Sequence, residues 1–479
     1  MLFSSALFLF LALPLVVLVY HLLPHAFRNA WLLLASLTLY AWGEPKLLWV
    51  MLASMAGNYL AGLAMGRLRA SRWATPWLGL VVAANLLALC WFKYAGWLAA
   101  TAGGLLGQDW RLAEIALPLG ISFYTFHALS YVVDVYRGDA QVQRDPAKIA
   151  LYLTLYPQLI AGPILRYHHM QGQLGRRPVS IDDFAYGVQR FSVGLAKKVL
   201  IANPLAKPAD ALFAVPADDL GAPAAWLAVI AYTGQIYFDF SGYSDMAVGL
   251  ARMHGFVFVE NFQWPYSARS VVQFWRRWHM SLSNWFRDYL YIPLGGNRGS
   301  AWASRRNLVT VFLLCGLWHG ANWTFVVWGL WHGAFLALER GRLGTWIAAA
   351  PRFLQHLYTM AVVVVGWVLF RADTLDHAAS MLRALAGLAS GDTLRYPLTL
   401  YVGRDTALAL AAGAILSQPL APWLGARWLA WRTTATSALA RAGDGVLQGA
   451  TVLGVLGLLA ASGVLLAAAT HNPFIYFRF

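Results

Sequence analysis

The chain has 479 residues, of which 59% are hydrophobic and only 12% charged, about half the charged fraction of an ordinary soluble domain, so a soluble fold is excluded. Its formal net charge of +15 lies in short basic clusters between apolar stretches. That placement follows the positive-inside rule and excludes nucleic-acid binding. Cys90 and Cys315 both fall inside apolar stretches, which excludes a disulfide framework and a four-ligand zinc site.

A bilayer core about 30 Å thick takes roughly 20 apolar residues per crossing helix. Leu7–Leu23 is long enough to cross, has no basic residue before it and no small-residue cleavage site after it, and reads as a retained first helix. Further candidates follow at Ala30–Trp42, Leu47–Met65, Pro76–Trp97, Ile115–Tyr136, Ile149–Ile164, Val188–Ile201 and Trp226–Leu250. After a charged central block come Leu308–Leu338, Leu354–Phe370, Ala407–Leu420 and Val446–Ala469. The expected fold is all-α and polytopic, with roughly ten to twelve crossings, forming one membrane-embedded domain over 1–479.

Loop charges set the orientation. Arg28, then Arg67, Arg69 and Arg72, then Arg137, Arg144 and Lys148 fall on one side, while the intervening loops, with Glu44 and Lys46 and with Asp109, Arg111 and Glu114, carry no basic excess. The positive-inside rule then puts the N-terminus outside the cytoplasm. Proline- and glycine-interrupted stretches at 157–163, 204–208 and 291–296 predict broken backbone. Such backbone is tolerated at membrane depth only where protein or water satisfies it, so re-entrant or interfacial segments around a central cavity are expected. No internal repeat is visible, against a transporter built from duplicated halves.

Residues Phe274–Arg298 read FWRRWHMSLSNWFRDYLYIPLGGNR and pack Arg276, Arg277, His279, Arg287, Asp288 and Arg298 among aromatics. Facing lipid, each charge would cost at least ~2.5 kcal/mol at mid-bilayer, so these groups face a cavity, an interface or one another. One reading is an amphipathic interfacial helix anchored by its arginines and tryptophans. The other is a binding site for an anionic, phosphate-bearing donor such as a CoA thioester, which suits the guanidinium fork.

Leu313–Gly333 reads LLCGLWHGANWTFVVWGLWHG and sets two histidines in an apolar span. On one continuous helix His319 and His332 would lie about 20 Å apart on different faces and could not share a site. His319 is the stronger functional candidate because Gly316, Gly320 and Ala321 leave room around it, and His332 reads as structural. A neutral imidazole can take a proton from an attacking hydroxyl as an acyl group leaves its thioester; His279, Asn322 or Asp288 could orient it.

Other arrangements carry less. Gly242–Met246 lacks the closing glycine and the strand-turn-helix setting of a nucleophile elbow. Cys315 and His319 are one helical turn apart without further ligands, so no metal is expected. Asp239 and Asp245, set in an aromatic span, need partners, and the arginines of Phe274–Arg298 are the expected ones; a proton path is the alternative.

These residues resemble the membrane-bound O-acyltransferase (MBOAT) family, within it the bacterial branch of alginate, cellulose and peptidoglycan O-acetylation. The resemblance rests on Leu117–Tyr124 (LPLGISFY), Asp134–Gly138, Leu159–Pro163 and Tyr237–Ala247, most strongly on Phe274–Arg298 and GLWHGANWTFVVWGLWHG, and on the terminal Pro473–Phe479.

The resemblance implies that His319 is the catalytic histidine and His279 the second histidine of the same funnel. It implies a helical MBOAT fold around a thin central layer, a catalytic core of about 115–340, a cytosolic opening for the donor and an exit to the periplasm. Donor and substrate contacts are expected from Arg276, Arg277, Trp278, Asn284, Arg287, Asp288, Trp318 and Asn322. The implied reaction passes acetyl from acetyl-CoA, with no permanently bound cofactor, across the bacterial inner membrane. The acceptor is a periplasmic or membrane-anchored SGNH-type acetyltransferase within a polysaccharide synthesis complex. D-alanyl transfer to teichoic acid and a lipid-linked saccharide flippase are the alternatives.

Overall fold

The computed structural model describes residues 3–389, 391 and 395–468. Among these every regular element is helical and none is a strand. The terminal Pro473–Phe479 motif lies outside the described residues. The protein is an all-α, multi-pass membrane protein.

The N-terminal helices form an outer wall. Leu13–Leu22 and His25–Gly43 are separated at Pro24, whose fixed φ and missing N–H favour a helix start. Leu48–Leu68 and Ala74–Leu105 follow. Large apolar side chains such as Trp49, Leu87 and Trp91 point outward and exposed, as expected where the solvent is lipid.

Ile121–Arg137 packs inside this wall, against Leu48–Leu68 and Ala74–Leu105, and is buried over most of its length. Glycines stand at both of its ends, Gly120 at φ 73° and Gly138 at φ 84°, a left-handed conformation that costs glycine little. The most extensive helix contact is Ile181–Ala196 against Ala222–Met253. A Cβ on Gly194 would lie 2.5 Å from the Gly242 carbonyl oxygen, and one on Gly187 would lie 2.8 Å from that of Gly249. Two glycines on each helix thus let the backbones touch, the usual way to pack helices where apolar burial gives no net drive.

That pairing also decides where the buried charges go. Asp239 binds Lys198 at 2.6 Å, with both side chains almost fully buried. Asp245 binds Lys197 and Arg190, each at 2.7 Å. The expected pairing with arginines of Phe274–Arg298 is therefore corrected: the partners come from the helix pressed against these carboxylates.

Four described helices are long and apolar enough to cross a membrane by themselves, and the bent pair Arg404–Leu416 and Leu420–Thr434 makes up to five. The expected ten to twelve exceeds this because many central helices are short or polar. Ile121–Arg137 and Trp323–Glu339 have 17 residues each, and Ala222–Met253 carries Asp239 and Asp245. Such helices are covered by other helices and need no apolar outer face.

Ile149–Ile164 is not a span but two short helices, Pro146–Thr154 and Tyr156–Leu159, followed by irregular chain. The expected break at 291–296 is a turn with Gly295 and Gly296 at positive φ, where the Asn307 amide donates to the carbonyls of Leu294 and Gly296, both at 3.1 Å. The stretch 204–208 stays helical, with Pro208 inside Asn203–Phe213, after a π-helical turn at Lys197–Ala202 that opens the ladder.

The largest departure is at Leu308–Leu338. Ala301–His319 and Trp323–Glu339 form a tight hairpin instead of one helix. Any Cβ at Gly316 or Gly329 would collide with the opposite backbone, at the carbonyls of Phe325 and Phe312. Gly316→Val is expected to cost about 1–3 kcal/mol and to lower the thermal unfolding temperature in detergent. Gly57→Ala, where a Cβ meets nothing within 4 Å, should stay within about 0.5 kcal/mol in the same assay.

Candidate active site

His319 is the last residue of Ala301–His319, and the chain then extends through Gly320 before Asn322 starts the return helix. Asn322 caps that helix by accepting from the Thr324 N–H at 3.0 Å, while its amide donates to the Asp373 carbonyl at 2.8 Å. The imidazole is thus carried on the tip of a hairpin. Gly316 and Gly320 do not make room for a substrate, as expected from sequence; they are filled from outside by the Phe325 carbonyl and ring.

His279 reaches the same place from another element. The arginine-rich block is not one amphipathic helix: it breaks between Val271–Trp275 and Met280–Phe286, and His279 sits in the break at φ 44°, ψ 53°. A left-handed, non-glycine residue is strained, and here it turns the side chain inward, where it is 1% exposed. Trp318 lies beside both imidazoles, its ring centroid 5.0 Å from His319 and 6.2 Å from His279.

The remaining walls are aromatic. His319 meets Trp328 at 5.1 Å and Phe370 at 5.0 Å, edge to face. Trp328 in turn meets His332 at 5.2 Å. The hairpin therefore brings His332 within one ring of His319, which a continuous helix would not. Nε1 of Trp275, Trp318 and Trp328, Nε2 of His279 and both ring nitrogens of His332 are buried without a protein hydrogen-bond partner.

His319 also lines a cavity of about 210 Å³. Its walls include Trp318, Lys93, Ile160 and the turn Leu117–Phe123. A Cβ on Gly120 would stand 2.6 Å from the Leu159 carbonyl oxygen, so the LPLG turn and the Leu159–Pro163 segment meet at this wall. Lys93 Nζ donates to the carbonyls of Trp318 at 2.6 Å and His319 at 3.0 Å. The sequence reading passed over Lys93, although an ionisable residue inside the apolar Pro76–Trp97 stretch is a signal by itself.

The cationic groups gather elsewhere. Asp288 pairs with Arg166 and with Arg287 at 2.7 Å, and Arg137 donates to its backbone carbonyl at 2.9 Å. Asp134 accepts from Tyr289 at 2.6 Å and binds His168 at 2.9 Å. This cluster sits at the C-terminal end of Ile121–Arg137, roughly 20 Å along the helix from the cavity at its N-terminal end. Burial, with the Arg166 guanidinium and His168 nearby, pushes the imidazole of His169 down to about 4, so at neutral pH it accepts from Arg166 at 3.3 Å.

The expected set therefore divides. His319, His279 and Trp318 come together. Arg287 and Asp288 belong to the distant cationic cluster, and Asn322 is a helix cap, so neither Asp288 nor Asn322 is the expected orienting partner of His319. Arg276 is exposed, Arg277 donates to Ser267 at 2.7 Å, Asn284 is half-buried, and Trp278 stacks on Phe274 at 5.5 Å and meets Trp367 at a tilt at 4.8 Å. His127, fully buried, accepts from the Leu165 N–H at 3.2 Å. Cys315 lies near His319, and among the described residues no cluster of three metal-ligating side chains forms.

The site is a buried histidine beside a cavity in a multi-pass helical membrane protein, and the family match supplies its class, a membrane O-acyltransferase. Residues 70–375 match the membrane-bound O-acyltransferase family. Over its full length the chain is 42% identical to the probable alginate O-acetylase AlgI of Azotobacter vinelandii, covering all of both chains. It is 41% identical to the protein of the same name from Pseudomonas aeruginosa, again over all of both. It is 35% identical to the peptidoglycan O-acetyltransferase of Helicobacter pylori, over 81% of this chain and 80% of that one. The chain belongs to the membrane-bound O-acyltransferase family and is an O-acyltransferase.

Asn322→Ala should lower stability by about 1 kcal/mol, read from thermal unfolding in detergent, while Asn322→Ser, which keeps an oxygen for the Thr324 N–H, retains most of it.

Proposed function

We propose that the protein passes an acetyl group from cytosolic acetyl-CoA to an acceptor on the periplasmic side of the bacterial inner membrane, for O-acetylation of an exopolysaccharide, alginate or cellulose. The observation that carries the reading is the junction at His319: a buried imidazole, a second histidine beside the same Trp318 ring, and a cavity lined by both Trp318 and His319. The full-length likeness to alginate O-acetylases favours acetyl over D-alanyl as the cargo, and membership of an O-acyltransferase family favours group transfer over flipping of a lipid-linked saccharide.

In this reading neutral His319 takes the proton of the acceptor hydroxyl, whose oxygen attacks the thioester carbonyl. The carbon–sulfur bond then breaks, and the leaving CoA thiolate takes the proton from the imidazolium. An acetyl-imidazole intermediate is the other route through the same residue. The acceptor is a serine of a periplasmic or membrane-anchored SGNH-type acetyltransferase, which then decorates the polymer. Arg287, with Arg166 and Arg137 beside it, supplies guanidinium groups for the donor's phosphates. Loop charges support a periplasmic N-terminus, which puts this cluster on the cytosolic side and the Leu117–Phe123 turn on the other. The whole chain acts as one domain, with no permanently bound cofactor.

His319→Ala, in cells carrying the intact acceptor genes, is expected to remove polymer acetylation by at least about a hundredfold at normal protein level; unchanged acetylation would sink the assignment. His279→Ala should be equal or weaker in effect, and His332→Ala mild. In membranes supplied with labelled acetyl-CoA, Arg287→Gln should raise the donor KM on the order of tenfold with kcat little changed, a charge-assisted hydrogen bond being worth roughly 1.5–3 kcal/mol.

A further inference from the structure

Lys93 lines the cavity, yet the proton transfer above does not use it. Its side chain leaves Ala74–Leu105 and its Nζ reaches three acceptors: the Trp318 carbonyl at 2.6 Å, the His319 carbonyl at 3.0 Å and the Ser122 hydroxyl at 3.4 Å. Three acceptors match the three N–H bonds of an ammonium. The next residue, Tyr94, gives its hydroxyl to the Leu317 carbonyl. Two consecutive side chains of one helix thus hold the last three carbonyls of another, and these are carbonyls that the end of a helix leaves without intrahelical donors.

The grip falls on the catalytic tip and nowhere else along Ala301–His319. One of its acceptors is the backbone of His319 itself, and Ser122 belongs to the Leu117–Phe123 turn that also lines the cavity. Lys93 therefore ties the tip that carries the base to another part of the cavity lining, and the Trp318 ring centroid lies 5.9 Å from Nζ.

We propose that Lys93 is a positioning residue for the acyl transfer, fixing the hairpin tip so that the His319 imidazole meets the substrate in the cavity. This rests on His319 being the base. Because the N–H bonds of Lys93 are committed to protein acceptors, it acts through His319. A displacement of about 1 Å at a catalytic group costs on the order of a hundredfold in rate, and a freed helix end is a direct source of one.

The test uses the full-length protein in cells with intact acceptor genes, comparing Lys93→Met, Lys93→Arg, His319→Ala and the Lys93→Met/His319→Ala pair. Ester-bound acetate on secreted and envelope polysaccharide is measured per amount of detergent-extractable, monodisperse protein. Lys93→Met should fall on the order of a hundredfold, Lys93→Arg should recover much of the loss, and the double variant should fall no further than His319→Ala, as residues acting as a unit do. Lys93→Met within twofold of the parent, or a double variant clearly below His319→Ala, overturns the proposal. Activity retained by His319→Ala overturns the base assignment and this inference with it, whereas an inactive His319→Ala beside an active Lys93→Met overturns only the inference. Should Lys93→Met fail to accumulate, Lys93→Gln is judged by the same criteria.

Discussion

A helix that stops inside a protein leaves carbonyl groups with no donors, and in apolar surroundings that cannot stand. The hairpin Ala301–His319/Trp323–Glu339 is built around this constraint. Lys93 and Tyr94 satisfy the carbonyls of the outgoing helix, the Asn322 side chain satisfies an N–H of the returning one, and the Asp373 carbonyl holds the Asn322 amide in turn. The break in the helix is what places His319 at a cavity, so the satisfaction of backbone groups and the placement of the histidine are one arrangement.

Close approach does for the helices what hydrophobic burial does in water. Glycine pairs bring Ile181–Ala196 onto Ala222–Met253 and the two arms of the hairpin onto each other. Once the backbones touch, charges on facing helices are within reach, and Asp239–Lys198 forms as a buried pair. Removing one partner of such a pair would leave a bare charge in a low-dielectric interior, at a cost of roughly 3–5 kcal/mol. Packing and charge placement therefore constrain each other along Ala222–Met253, which forms the floor beneath His279 through Phe240, ring to ring at 4.7 Å.

The sequence made the class, the prominence of His319 and the central block legible, because charge and histidine inside apolar chain are visible one residue at a time. The hairpin was not. Leu313–Gly333 reads as an unbroken apolar run, and its break depends on Asn322 acting as a cap, a weak local signal that tertiary contacts complete. The glycines around His319 looked like room for a substrate because sequence shows small residues without showing what fills them; the Phe325 ring and carbonyl do. The partners of Asp239 and Asp245 were misread for the same reason, since the arginines of Phe274–Arg298 are conspicuous in the chain while the cations nearest in space are Arg190, Lys197 and Lys198. Lys93 was legible as a lysine inside the candidate span Pro76–Trp97, but nothing in the sequence shows that it reaches the carbonyls of Trp318 and His319.

The site's division in space gives the chemistry a direction. The arginine cluster around Asp288 and the cavity beside His319 sit near opposite ends of Ile121–Arg137, whose 17 residues span about 25 Å. A donor held by its phosphates at one end and an acceptor entering at the other would meet only where both can touch one imidazole. In the proposed orientation, that helix runs between the two compartments. Group transfer at a fixed histidine would then move the acyl group across without moving the protein, because the donor and the acceptor would each supply part of the distance. Such a design needs rigidity at the histidine more than motion elsewhere, and the capped, glycine-locked hairpin tip supplies it.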